Sequence, residues 1–462
     1  GSNGNIGYYA KDVYTSLESP SKLTIVDDCV IYSDGEEVLL VSYLGEETNL
    51  TLREGLTHIC KTSFILDAPV KTLTLPSTMR IIDDNALSRL EYLEEIHLNE
   101  GLESPGSFDN PRIVNLTIPH SVTYIAPLTS QHLVEVYNLS QCEITRLDGS
   151  HVVTMDTQVP SMIEKHNNYI LRVEDGVKTL VAYFGNEQQF TVPYGVQKIA
   201  GYAFADSTTP HIVLPESVHT LEPYAFCQAN IIEITLPKSI TAISDHCFEG
   251  CSSLRIVNVS NRVTSIGDYA FAGTSLSCVI VPDSVRTIGE YAFASGNLVS
   301  VVLPEGLTYL PRLFGGGPIQ FMNIPSSVTS IADGAFEGTH IKSIVWPAGV
   351  HEIGDHMFYN SDLETIELTG TITRIGNAAF MNSKLTSISL PNGLQTIDAM
   401  AFADSQLAAI DIPSSVTTIG DSAFMNTQID SVVIPNTVTD LGTCVFAENH
   451  NLVQAEVYAP ID

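Results

Sequence analysis

The sequence predicts a solenoid, a stack of near-identical short coils, and three observations predict it. First, twelve phenylalanines from Phe204 to Phe446 are separated by 22 residues in nine of eleven intervals, and by 23 and 21 in the other two. Second, prolines keep the same beat. Pro193, Pro215, Pro237, Pro282, Pro325, Pro347, Pro391, Pro413 and Pro435 each stand eleven residues before a phenylalanine, and Pro304 stands ten before Phe314, where one residue is missing. Third, the residues between these markers alternate apolar and polar with the period of an extended strand.

One unit shows how each element arises. In Leu385–Pro391, apolar Ile388 and Leu390 alternate with Ser387 and Ser389, which reads as a short strand with one buried face. Pro391 ends it, because proline has no N–H to give to a ladder. Gly393–Asp398 is a second extended piece, and Ala399–Phe402 is a compact turn the size of a helical half-turn. One unit buries too few apolar side chains to offset the entropy of ordering its own residues, so neighbours must cover its two open faces. Twelve units at a strand spacing of ~4.8 Å make a rod or arc roughly 60 Å long.

The chain before residue 187 carries weaker copies. Thr51 to Phe64, Leu73 to Leu87 and Glu95 to Phe108 read as degenerate units, and a further one opens at Leu116 and fades near Ser130. Val38–Gly45 resembles Lys178–Gly185 at an offset of 140. Each reads as one arm of a β-hairpin, turning at Ser33-Asp34-Gly35 and at Glu174-Asp175-Gly176, and each precedes a run of units, as a cap over an open end would. The expected layout is a polar leader or tether over 1–22, a hairpin with degenerate repeats over 23–160, and a second hairpin with about twelve repeats over 161–462. Leu452–Val457 supplies the last strand.

The phrase Leu-x-x-Ile-x-Leu-Pro followed by Val-x-x-Ile-Gly-x-x-Ala-Phe, carried by Leu385–Phe402 and Leu407–Phe424, resembles the BspA-like leucine-rich repeat family from about residue 187 to 457. The resemblance implies a right-handed leucine-rich-repeat coil of α/β type, with short parallel strands on one side and turns or 3-10 segments on the other. It also implies an exported bacterial protein at the cell surface or outside the cell, adhering to host or bacterial surface proteins or glycans.

Composition narrows the function. Against 53 acidic residues stand 21 basic ones, a net charge of −32, which is a poor surface for nucleic acid or anionic lipid. No apolar run reaches the ~20 residues of a membrane span, and Gly1–Asn5 has neither a basic nor an apolar stretch, so a signal peptide is not expected in this segment. The eight cysteines form no Cys-x-x-Cys pair. Cys247 and Cys251 fall on slots of small buried residues and read as core filler.

Catalytic signatures are missing. His351-Glu352-Ile353-Gly354-Asp355-His356 approaches a zinc-protease motif, but its histidines are five apart where a helix needs four, and both occupy variable repeat slots. No Gly-x-Ser-x-Gly elbow, phosphate loop or EF-hand loop occurs. Gly315-Gly316-Gly317, at the shortened repeat, reads as a loosened turn. No enzyme activity, metal or cofactor is expected. The remaining candidate is the strand face, where residues two and four before each proline slot point away from the core. Neither column contains Lys or Arg, and the stretch His211, Ile256, Ile280, Val302, Phe321 and Val345 is mostly apolar, as interaction patches often are. The expected function is protein or glycan binding through this face, which the geometry of such solenoids makes concave. The rival readings are a surface stalk without a ligand and an enzyme with an unrecognised grafted site.

Overall fold

A computed structural model of the chain describes residues 23–64, 68–126, 135–142 and 162–459, apart from 34, 36, 109, 111, 114 and 141. The expected leader over 1–22, Asp34 of the first expected turn, and Ser130 lie outside the described residues. Two compact units are present, Gly1–Glu174 with Val181–Phe184, and Asp175–Leu180 with Gly185–Asp462.

In the first unit the expected hairpin gains a third strand. Leu23–Val26 pairs antiparallel with Cys29–Ser33, which pairs antiparallel with Val38–Tyr43. Asp27 and Asp28, with φ of 51° and 56°, make the two-residue turn between the first two strands. Both angles are left-handed, the type I′ geometry that suits twisted strands. Val38–Tyr43 is where the pairing changes sense, because its other edge runs parallel to the next coil, with Leu39 opposite His58 and Leu40 opposite Ile59. A second parallel ladder stacks Asn49–Thr51, Thr72–Thr74 and Glu95–His97. Its centre residues Leu50, Leu73 and Ile96 are buried, as are Phe64, Leu87 and Phe108. The same unit holds the antiparallel pair Met162–Lys165 and Tyr169–Glu174.

The second unit repeats one coil. Asp175 and Gly176, at φ 50° and 79°, begin it with another left-handed turn. Lys178, Thr179 and Leu180 then pair parallel with Val196, Lys198 and Ile199. Most coils contribute two short strands, but the strand expected in Leu385–Pro391 is reduced to an isolated bridge between Ser387 and Thr365, and residues 407–413 form no strand. The first of the two, such as Glu233–Thr235 beside Ile256–Asn258, buries its centre and exposes its flanks. The second, such as Thr396–Ile397 beside Thr418–Ile419, inserts one isoleucine.

The expected helical half-turn is a turn of another kind, and no helix occurs among the described residues. The N–H groups of Ala225, Cys227 and Ala229 close tight turns on Glu222, Tyr224 and Phe226. Those of Tyr224, Phe226 and Gln228 instead reach the carbonyls of Asp245, Cys247 and Glu249 in the next coil, at 3.2, 2.9 and 2.7 Å. A helix would spend every N–H within itself; here alternate groups point along the stack. Left-handed φ at Tyr224 (63°) and Gln228 (58°) produces the alternation, and paired left-handed residues recur four apart, as at Met400 and Asp404.

The interior is a column of phenylalanine rings. Phe204 to Phe293 stack face to face at 4.8–5.7 Å, and Phe336 to Phe446 at 5.2–5.4 Å. Phe314, on the shortened repeat, is buried but joins neither stack. Cys247 and Cys251 are buried, and the Cys251 thiol donates to the Phe226 carbonyl. In other coils Thr274, Thr339, Ser361 and Ser383 hold that slot and donate to the carbonyl of their own phenylalanine.

Candidate binding face

Strand alternation decides what this face presents. Parallel register places like positions beside one another, so outward side chains form rows across coils. His211 lies opposite Glu233, Glu233 opposite Ile256, Ser300 opposite Phe321, and Ile280 opposite Val302. The five apolar residues singled out from the sequence all stand in solvent: Ile256 is 50% exposed, Ile280 73%, Val302 46%, Phe321 64% and Val345 55%. The strand neighbours Val279, Val301 and Ile344 of Ile280, Val302 and Val345 are buried, while Val257 and Met322, beside Ile256 and Phe321, are half-buried. The five exposed apolar side chains are split between two adjacent outward columns, Ile256 and Phe321 in one and Ile280, Val302 and Val345 in the other.

His211 differs from the others. It is half-buried, and its Nδ1 lies 3.7 Å from Glu233 Oε1, so one end of the face is polar. Two hollows open on this face. One, of about 730 Å3, is lined by His211, Val213, Glu233, Thr235 and Asn258 among others. A second, of about 490 Å3, is lined by Asn323, Ser343, Val345, Thr365 and Glu367. Val213 and Val433 are also exposed in the column of Ile280, with Thr235 after the first and Glu367, Ser389 and Asp411 before the second.

The turn side carries a feature that sequence reading passed over. Tyr202, Tyr224, His246, Tyr269 and Tyr291 stack ring on ring at 4.4–5.2 Å. All occupy the left-handed position two before the phenylalanine, a slot that looks variable because Gly334, Ala378 and Ser422 also hold it. A recurrent aromatic at that slot was the available signal. The rings face one another, so the ladder offers edges to solvent, and the residues are half-buried. At the shortened repeat, Gly315 and Gly316 adopt left-handed φ and border a hollow of about 330 Å3 with Tyr291, Arg312 and Glu337. His351 and His356 have separate partners: His351 Nδ1 lies 3.0 Å from the Thr371 carbonyl, and the His356 ring packs edge-on to Tyr359 at 5.7 Å.

Burial pushes the thiols of Cys29, Cys60 and Cys227 each up to about 11. Among the described residues no helix is long and apolar enough to cross a membrane.

Comparison with known proteins agrees with the repeat. The model of the BspA-type leucine-rich repeat region matches residues 44–131, 182–300, 219–339 and 329–453. Among solved structures, the pneumococcal vaccine antigen PcpA is 20% identical, over 66% of this chain and 89% of its own, with a TM-score of 0.41. A leucine-rich repeat protein of Bacteroides ovatus is 17% identical, over 94% of each chain, with a TM-score of 0.36. A leucine-rich cell surface protein of Faecalibacterium prausnitzii is 19% identical, over 66% of this chain and 96% of its own, with a TM-score of 0.28. No curated protein matches. The repeat phrase, the two parallel ladders and a family match spanning most of the chain agree, and the chain belongs to the BspA-type leucine-rich repeat family.

Proposed function

We propose that this chain is a non-enzymatic binding module of a bacterial cell surface, and that the strand face of its second unit docks a protein partner. The observation that carries the reading is the set Ile256, Ile280, Val302, Phe321 and Val345, exposed on consecutive coils in two adjacent outward columns. Isolated exposed apolar residues are ordinary, but grouped ones mark interaction surfaces. The set is aliphatic apart from Phe321, and only one of its members is a ring on which a sugar could stack. That favours a protein over a glycan. A large aromatic among aliphatic neighbours is the usual composition of an interface centre. Without Lys or Arg in its outward columns, the face gains little from acidic partners, and the net charge of −32 favours a basic one.

The test is retention of partners from a panel of host matrix proteins and glycans by the purified chain. Ile280→Asp combined with Phe321→Asp should abolish retention while leaving thermal unfolding unchanged, because both side chains stand in solvent. Undiminished retention by that variant contradicts the reading. A wild-type chain that retains no member of the panel favours a stalk without a ligand.

A further inference from the structure

We propose that His58, Cys60 and Asp83 form a zinc site that ties together the first two coils of the first unit. His58 and Cys60 flank Ile59, whose side chain is fully buried, so both project from the opposite side of the same extended segment. The parallel register places His58 opposite Ile81 and Ile59 opposite Ile82, which brings Asp83 beside Cys60. Ladder hydrogen bonds hold both backbones, Cys60 N to Leu40 O at 3.2 Å and Asp83 N to Ile59 O at 3.0 Å. One ligand atom from each side chain lies within 4.8 Å of the other two. His58 Nε2 is 2.8 Å from Asp83 Oδ1. Zinc bonds of ~2.0–2.3 Å in a tetrahedron put ligand atoms roughly 3.4–3.7 Å apart, so small side-chain rotations complete the geometry.

The setting supports a ligand role. Lys61 N–H donates to Asp83 Oδ2 at 3.0 Å, orienting the carboxylate as outer-shell donors orient metal ligands. Cys60 and Asp83 occupy the slot that is glycine in Gly267, Gly289 and Gly376. In those coils an aspartate of the coil before fills the space of a side chain. Cys60 follows the capping strand Val38–Tyr43, so its slot is open to a side chain. Imidazole nitrogen, thiolate sulfur and one carboxylate form a zinc set and a poor one for Mg2+ or Ca2+, which take oxygen ligands. Three protein ligands leave the fourth position to water.

The experiment is titration of the full chain with Co2+, which reports a cysteine ligand through a thiolate-to-metal charge-transfer band, followed by displacement with Zn2+. The expected result is one cobalt per chain with that band, displaced by Zn2+ and undisturbed by Mg2+. Cys60→Ser should abolish the band. His58→Gln and Asp83→Asn should each weaken binding by more than the roughly 10–100-fold that loss of an outer-shell partner costs. Cys278→Ser and Cys444→Ser, at exposed cysteines, serve as controls and should leave the band intact. Circular dichroism of each variant separates lost binding from lost folding. Absence of the band in the wild-type chain, its survival in folded Cys60→Ser, or binding unmoved by His58→Gln and Asp83→Asn overturns the proposal.

Discussion

At the scale of single residues, the Ile-Gly-Asp phrase is a contact between coils. A Cβ at Gly289 would overlap Asp268, and one at Gly376 would overlap Asp355. The space is needed because each aspartate reaches forward: Asp268 Oδ1 accepts from Glu290 N–H at 2.7 Å, and Asp355 Oδ1 from Asn377 N–H at 3.0 Å. Gly289→Ala should therefore cost about 1–3 kcal/mol, the usual range for overpacking, measured by urea unfolding. A cost below a few tenths contradicts the clamp. Asp421 caps Thr443 in the same way, and the Thr443 N–H and hydroxyl hold its carboxyl below the usual range. A lowered folded pKa stabilises above the ordinary aspartate value of about 4 and loses that contribution as pH falls through the folded value. The difference in melting temperature between wild type and Asp421→Asn should shrink on acidification, and a difference that grows would reverse the sign of this argument.

At the scale of elements, the two strands and the phenylalanine column were legible because their periods, two and twenty-two, are written directly in side-chain type. The outward columns followed from the same alternation, which is why Ile280 and Phe321 could be placed in solvent before any coordinates. Helix against turn was not legible at Ala399–Phe402. Side-chain pattern does not say whether an N–H points along its own segment or toward the next coil, and the left-handed residues that decide it include Tyr, His, Met and Ser. The His58–Asp83 pair was hidden for a related reason: it joins residues 25 apart, across two coils of a degenerate stretch. Stacking makes the interior rings interdependent. Phe380 packs between Phe358 and Phe402 at 5.4 and 5.2 Å and is fully buried, so Phe380→Ala should cost about 3–5 kcal/mol. Denaturant unfolding checks it, and a loss under 1 kcal/mol contradicts the column. The last strand, Gln454–Val457, is exposed throughout and pairs with Ser431–Ile434. Its amides should exchange with deuterium before those of Thr396–Ile397, which lies between two neighbours.

At the scale of the whole molecule, charge and repetition act together. A net charge of −32 sets the acidic side chains against one another, so raising ionic strength from low to physiological should raise the melting temperature. A fall would mean that the ion pairs between coils, such as Arg374 with Asp355 and Asp398, outweigh the repulsion. The proposed docking draws on the same architecture: most coils add one short strand to the face, and repetition sets exposed apolar side chains on consecutive coils. The most direct measurement of that claim is a hydrogen-exchange footprint of the chain, alone and with the protein partner it retains. Protection should fall on Ile256–Asn258, Cys278–Ile280, Ser300–Val302 and Phe321–Met322. Protection confined to the turns around Tyr224 and Tyr269, or to the first unit, would contradict it.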